Sequence, residues 1–88
     1  MMHTYDEIFN SIKAILIEEF ECDEDLVTPD VNLFETLDLD SIDAVDLIVR
    51  LQNMTQLKVK AEDFRSIRTL DDVVKVIQRL IAEQAPTA

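Results

Sequence analysis

A chain of 88 residues without a single glycine has lost the residue that tight reverse turns use at least cost. A sheet closed by short hairpins is therefore a poor fit, and helices joined by longer ordered loops are favoured. Only two prolines interrupt the chain, and aromatic residues are few. The hydrophobic fraction of 48% is that of a globular protein, enough to keep a strongly acidic chain out of the disordered class. At this length there is material for one modest core, so residues 1–88 are expected to form one domain.

Helical periodicity divides the chain into few elements. A first helix is predicted from about Thr4 to about Phe20, with Thr4 and Glu7 at capping-box spacing and Ile8, Ile12, Ile15 and Leu16 as a buried stripe. The long segment Glu21 to Asp40 reads as an ordered loop, anchored by apolar residues of which Phe34 and Leu37 are the expected main pegs. A second helix runs from Ser41 to near Met54, with Asp40 or Ser41 as N-cap. Its polar positions Asp43, Asp46, Arg50 and Asn53 share one narrow stripe, and Ile42, Val45, Leu47, Ile48, Val49 and Leu51 cover most of the remaining circumference. That pattern predicts a central, largely buried helix. A short helical segment near Glu62 to Ile67 precedes a last helix, which starts after Thr69 and buries Leu70, Val73, Val74, Ile77, Leu80 and Ile81. The tail 85–88 is expected to fray. The expected fold class is all-α: a small bundle of three main helices plus one short helix.

Charge narrows the function. The net charge is −11, yet Met1 to Val49 carries fourteen acids against one base, Lys13, while Arg50 to Ala88 carries five acids and seven bases. Such a field repels nucleic acid and anionic membranes and steers toward basic protein surfaces. No apolar stretch is long enough to span a bilayer and the start has no basic n-region, so a cytoplasmic protein is expected. Cys22 is the only cysteine and cannot form an internal disulfide. Catalysis lacks its parts: the only histidine is His3, near an end expected to be mobile, so no nucleophilic triad can be assembled. One Cys and one His are too few for zinc. A calcium loop starting at Asp38 lacks its glycine and has Val49 at the twelfth position. The chain is not expected to be an enzyme.

What remains is Ser41, flanked by Asp40 and Asp43 at the start of the most apolar helix. Asp-Ser at a helix start serves first as a cap; it can also present a hydroxyl for modification. The segment LFETLDLDSIDAVDLI resembles the phosphopantetheine attachment site of acyl carrier proteins. The likeness extends to Thr28-Pro29-Asp30, Asn32-Leu33-Phe34 and Thr69-Leu70-Asp71-Asp72-Val73, so it covers nearly the whole chain. The resemblance implies that Ser41 carries 4′-phosphopantetheine, derived from coenzyme A, and that acyl intermediates of a dissociated fatty acid or polyketide-like pathway, aryl polyenes among the candidates, ride on it as thioesters. It implies a phosphopantetheinyl transferase, a ketosynthase and other acyl-processing enzymes with basic docking surfaces as partners of a carrier that is monomeric when free. Asp40, Asp43 and Asp46, with Asp38 and Glu35 behind them, would be the recognition residues. Val45, Val49, Leu57, Val59, Phe64 and Ile67 would line a cavity for the acyl chain, though each also suits an ordinary core. An aminoacyl carrier and an unmodified acidic adaptor are the alternatives.

Three departures from the family pattern stand out. Asp38 occupies a position that is usually glycine, the second helix ends in Arg50, Gln52 and Asn53 where further glutamates are common, and Lys58, Arg65 and Arg68 surround the short helix. These last three either select different partners or pair with the acidic half, and pairing is the expectation.

Overall fold

The computed structural model describes residues 4–84; His3 and the tail 85–88, both expected to be mobile, lie outside them. Helix α1 spans Tyr5–Glu19, α2 spans Ser41–Thr55 and α3 spans Leu70–Gln84, with 3-10 turns at Glu24–Leu26 and Ala61–Phe64. Among the described residues there is no strand, only one antiparallel bridge between Asn32 and Thr69. The chain is an all-α bundle, as expected.

The caps explain the boundaries. Thr4 Oγ1 accepts from the Glu7 N–H at 3.2 Å and starts α1. The return arm of the expected capping box differs, because the Glu7 carboxylate is met by the Thr4 hydroxyl at 3.0 Å. At α3, Thr69 Oγ1 accepts from the Asp72 N–H, and the Asp72 carboxylate accepts from the N–H groups of Arg68 and Thr69. These bonds favour the charged carboxylate and hold Asp72 below the usual carboxylate range. The short helix ends at Phe64 rather than Ile67.

Ile8, Ile12 and Leu16 of α1 meet Leu70, Val73, Val74 and Ile77 of α3 in the main core, with Leu47 and Leu51 from α2. Ile15 and Ile81, expected to be buried, are half-buried at its edge. A polar tie joins the same two helices: the Tyr5 hydroxyl donates to Asp71. Burial, then that bond, pushes Tyr5 up to about 12. The same bond and the ion pair with Lys75 pull Asp71 down.

The loop before α2 is stitched to the start of α3. Leu33 N–H donates to Arg68 O at 2.9 Å, Leu70 N–H to Val31 O at 3.2 Å, and Asp71 N–H to Pro29 O at 2.7 Å. Its pegs are Val27, Val31, Leu33 and Leu39, all buried. Phe34, expected to be a main peg, is 39% exposed, and Leu37 is half-buried. Asn32 Oδ1 accepts from the N–H groups of Phe34 and Glu35 at 2.9 Å each, closing a turn that holds Leu33 inward and leaves Phe34 facing out.

The second correction concerns α2. Only Leu47, Ile48 and Leu51 are buried; Ile42 is 78% exposed, Val45 57% and Val49 45%. With three main helices there is no layer to cover the outer arc of α2, so an apolar strip faces solvent beside the polar stripe. The helix is not the buried centre that its composition predicts.

Three residues take the left-handed conformation without being glycine: Glu21 (φ 55°), Asp38 (φ 59°) and Gln56 (φ 60°). Glu21 follows α1, Gln56 ends α2 through its N–H to Gln52 O, and Asp38 lies just ahead of α2. The fold thus keeps the turns that glycine normally supplies and places polar side chains in them.

Candidate functional site

The entry to α2 is built by two aspartates. Asp40, in extended conformation, is the N-cap. Asp43 N–H donates to Asp40 Oδ1 at 2.9 Å, and Asp40 N–H donates to Asp43 Oδ2 at 3.2 Å. This closed box leaves no capping task for Ser41, which takes the first helical position. Ser41 is exposed, and among the described residues its hydroxyl has no hydrogen-bond partner. The left-handed turn at Asp38 and the bond from Leu39 N–H to Leu33 O bring the chain into that position.

At 100° per residue, the outward arc of α2 reads Ser41, Val45, Val49, Ile42, Asp46, Arg50 and Asp43 around the helix. Ser41, Ile42, Val45, Asp46 and Val49 share one shallow surface depression. Asp38, Asp40, Glu35 and Asp46 are exposed, and Asp43 is half-buried. Asp46 is not free, since Arg50 Nε lies 3.4 Å from its Oδ1 and Arg50 Nη1 lies 3.3 Å from Glu19 Oε2. The guanidinium also sits over the Phe20 ring, 6.0 Å from its centroid. Sequence reasoning placed Asp46 and Arg50 on one stripe at i,i+4 spacing but had no signal for Glu19 or Phe20, which lie about thirty residues away.

Behind this face lies a partly open cavity of about 30 Å³, lined by Leu33, Phe34 and Leu39 of the loop, Ala44 and Leu47 of α2, Phe64 and Ile67, and Val73 of α3. That is room for a few small atoms and far short of an extended acyl chain. Of the candidate lining residues, Phe64 and Ile67 reach it. Val59 and Leu57 pack instead with Ile48 and Leu80 in a second cluster, where Phe64 also makes contact. Val45 and Val49 lie on the outside of α2 and line no interior space.

The basic residues near the short helix do not behave as expected. Lys58, Arg65 and Arg68 are exposed, and none belongs to an ion pair among the described residues. The backbone of Lys58 is held to Gln84 by two hydrogen bonds, but its charge is left in solvent. Burial, then Asp43, pushes the Cys22 thiol up, away from the reactive thiolate. Among the described residues no group of His, Cys, Asp and Glu could hold a metal, and no helix is long and apolar enough to cross a membrane.

The residues suit a covalently attached phosphodiester arm. Ser41 offers an unengaged, exposed oxygen on a rigid helix start, and the first-turn N–H groups of Ser41 and Ile42 have no partner within the helix.

Comparison with known proteins agrees. Residues 10–77 match a family model described as the phosphopantetheine attachment site. The protein named acyl carrier protein 2 of Ralstonia nicotianae is 51% identical over 79 residues, covering 90% of this chain and 98% of the relative. An acyl carrier protein of Lactobacillus acidophilus is 36% identical over 73 residues, 83% of this chain and 91% of the relative. One from Thermotoga maritima is 35% identical over 78 residues, 89% and 96% respectively.

Proposed function

The chain belongs to the acyl carrier protein family, and from that premise we propose that Ser41 is the residue that bears 4′-phosphopantetheine. The supporting observation is the division of labour at the helix start: Asp40 and Asp43 cap each other, and the Ser41 hydroxyl is left exposed and unbonded. A serine serving only as a cap would spend that oxygen on a backbone N–H.

When bound, the arm supplies a flexible thiol on which acyl groups are held as thioesters. The protein's own part is to present the Ser41 oxygen and to be recognised. The Asp40 and Asp43 carboxylates are engaged with each other's backbone N–H groups in the box, so the serine proton is taken by the modifying enzyme. The chain itself is a non-catalytic, single-domain carrier spanning 1–88. Exposed Glu35, Asp38 and Asp40, with Asp43 beside them, form the acidic side that a basic-rimmed transferase or ketosynthase would meet, and Asp46 lies on the same face but is paired with Arg50. The exposed strip Ile42, Val45 and Val49 adds apolar area to the same face. We place the carrier in a cytoplasmic, dissociated fatty acid or polyketide-like pathway.

The test is loading with octanoyl-coenzyme A and a broad-specificity phosphopantetheinyl transferase, followed by peptide mapping. One octanoyl-phosphopantetheine on the Ser41 peptide, its octanoyl group released by hydroxylamine, is expected. A folded protein that takes no group, or takes it elsewhere, refutes the assignment.

A further inference from the structure

The first forty-nine residues hold fourteen acids and a single base, yet the next residue, on the flank of the outward face of α2, is an arginine. Arg50 reaches Glu19 at 3.3 Å and Asp46 at 3.4 Å. Its Nε is buried, and its approach to Asp46 lacks hydrogen-bond alignment. The guanidinium is held instead by charge on two sides and by the Phe20 ring below it. It is therefore a fixed positive charge, one helical turn beyond Asp46, on the flank of the face that begins at Ser41.

That position splits the face electrostatically. Near the helix start, Glu35, Asp38 and Asp40 make no ion pair among the described residues. Farther along, the two carboxylates that would extend the acidic surface share Arg50, which cancels one of their two charges, and the exposed residues beside them are Val45 and Val49. Ion pairs elsewhere, such as Arg79 with Asp63 and Glu83, do not touch this face.

We propose that Arg50 is a specificity residue for docking: by masking Asp46 and Glu19 it confines attraction to the helix start. The face then fits an enzyme whose bases gather opposite Glu35, Asp38 and Asp40 and whose surface turns apolar opposite Val45 and Val49. An enzyme with a row of bases along the whole helix meets a like charge at Arg50 and loses on-rate. This inference rests on the reading of Ser41 as the attachment residue.

The experiment measures kcat and KM for modification of Ser41 by a phosphopantetheinyl transferase with a continuous basic docking surface, using coenzyme A at low ionic strength. Arg50→Gln is expected to lower KM by about threefold to tenfold with kcat little changed, since exposed charges act mainly on association. Arg50→Lys, which keeps the charge, should stay near the parent. Asp46→Asn should matter little in the parent but remove most of the gain in the Arg50→Gln background. Arg79→Gln makes the same change in net charge away from the face and should leave KM near the parent value. Circular dichroism confirms that each variant is folded. A folded Arg50→Gln with unchanged or higher KM overturns the proposal, as does an equal gain in Arg79→Gln or a gain that survives Asp46→Asn. Failure of the parent to be modified at all is a different result, which removes the attachment reading and this inference with it.

Discussion

Asp38 holds a backbone conformation that its side chain makes costly. Its φ of 59° lies in the left-handed region, where a residue with a Cβ stands about 1–2 kcal/mol above the right-handed conformation. Aspartate softens this somewhat, because its short polar side chain tolerates the region better than most. In Asp38→Gly the Cβ clash disappears, while the greater freedom of the unfolded chain offsets roughly 0.5–1 kcal/mol of the benefit. The substitution also removes one carboxylate from the group formed with Glu35, Asp40 and Asp43. The net expectation is a gain of up to about 0.5 kcal/mol. Asp38→Val puts a β-branched side chain in the left-handed region, so it should lose about 1–2 kcal/mol. The two variants should therefore differ by about 2 kcal/mol, roughly 8–16 °C in Tm for a domain of this size. Thermal and urea unfolding followed by far-UV circular dichroism measure the difference. A valine variant as stable as the glycine variant would show that the left-handed turn is not held as described, and the path of the chain into Ser41 would need rebuilding.

The other predictions concern the caps and the charge. Tyr5→Phe should cost about 1 kcal/mol through loss of the bond to Asp71, with the Asp71 carboxylate moving up toward its ordinary value in an NMR titration. Because Asp71 and Asp72 are lowered on folding, their stabilisation is complete above the unfolded carboxylate range and is lost as pH falls through their folded values. Tyr5 is raised to about 12, so its contribution is complete below the ordinary phenol range and is lost as pH climbs toward that value. Unfolding midpoints against pH should show both limbs, and the alkaline one should vanish in Tyr5→Phe. Asp40→Ala opens the box at α2 and should cost about 1 kcal/mol by urea denaturation; no loss would mean that Ser41 takes over the cap. Added salt or magnesium should raise Tm by screening a net charge of −11, and a flat or falling Tm would contradict that.

The helices were legible because their signals are local. Thr4 and Thr69 mark starts, and apolar spacing marks α1 and α3, so the predicted bounds of α1 fall within a residue of Tyr5–Glu19. Asp40 as the cap was one of two options, and only the geometry of Asp43 chose between them. What escaped depends on neighbours distant in sequence. Periodicity gives the angle of Ile42, Val45 and Val49 around α2 but does not say which arc another helix will cover. The partners of Arg50 in α1 and the solitude of Lys58, Arg65 and Arg68 are likewise set by tertiary placement. Phe34 differs because size alone suggests a peg, whereas the turn closed by Asn32 buries Leu33 and leaves Phe34 facing out.

The central claim is that this chain is a carrier whose working residue is Ser41. Intact mass after incubation with coenzyme A and a broad-specificity phosphopantetheinyl transferase, run beside Ser41→Ala, tests it most directly. The account predicts one phosphopantetheine on the parent and none on a variant that melts at the same temperature, since the lost hydroxyl supports no contact in the fold. A folded parent that gains no mass with any of several transferases, or an alanine variant that still gains it, would contradict the account.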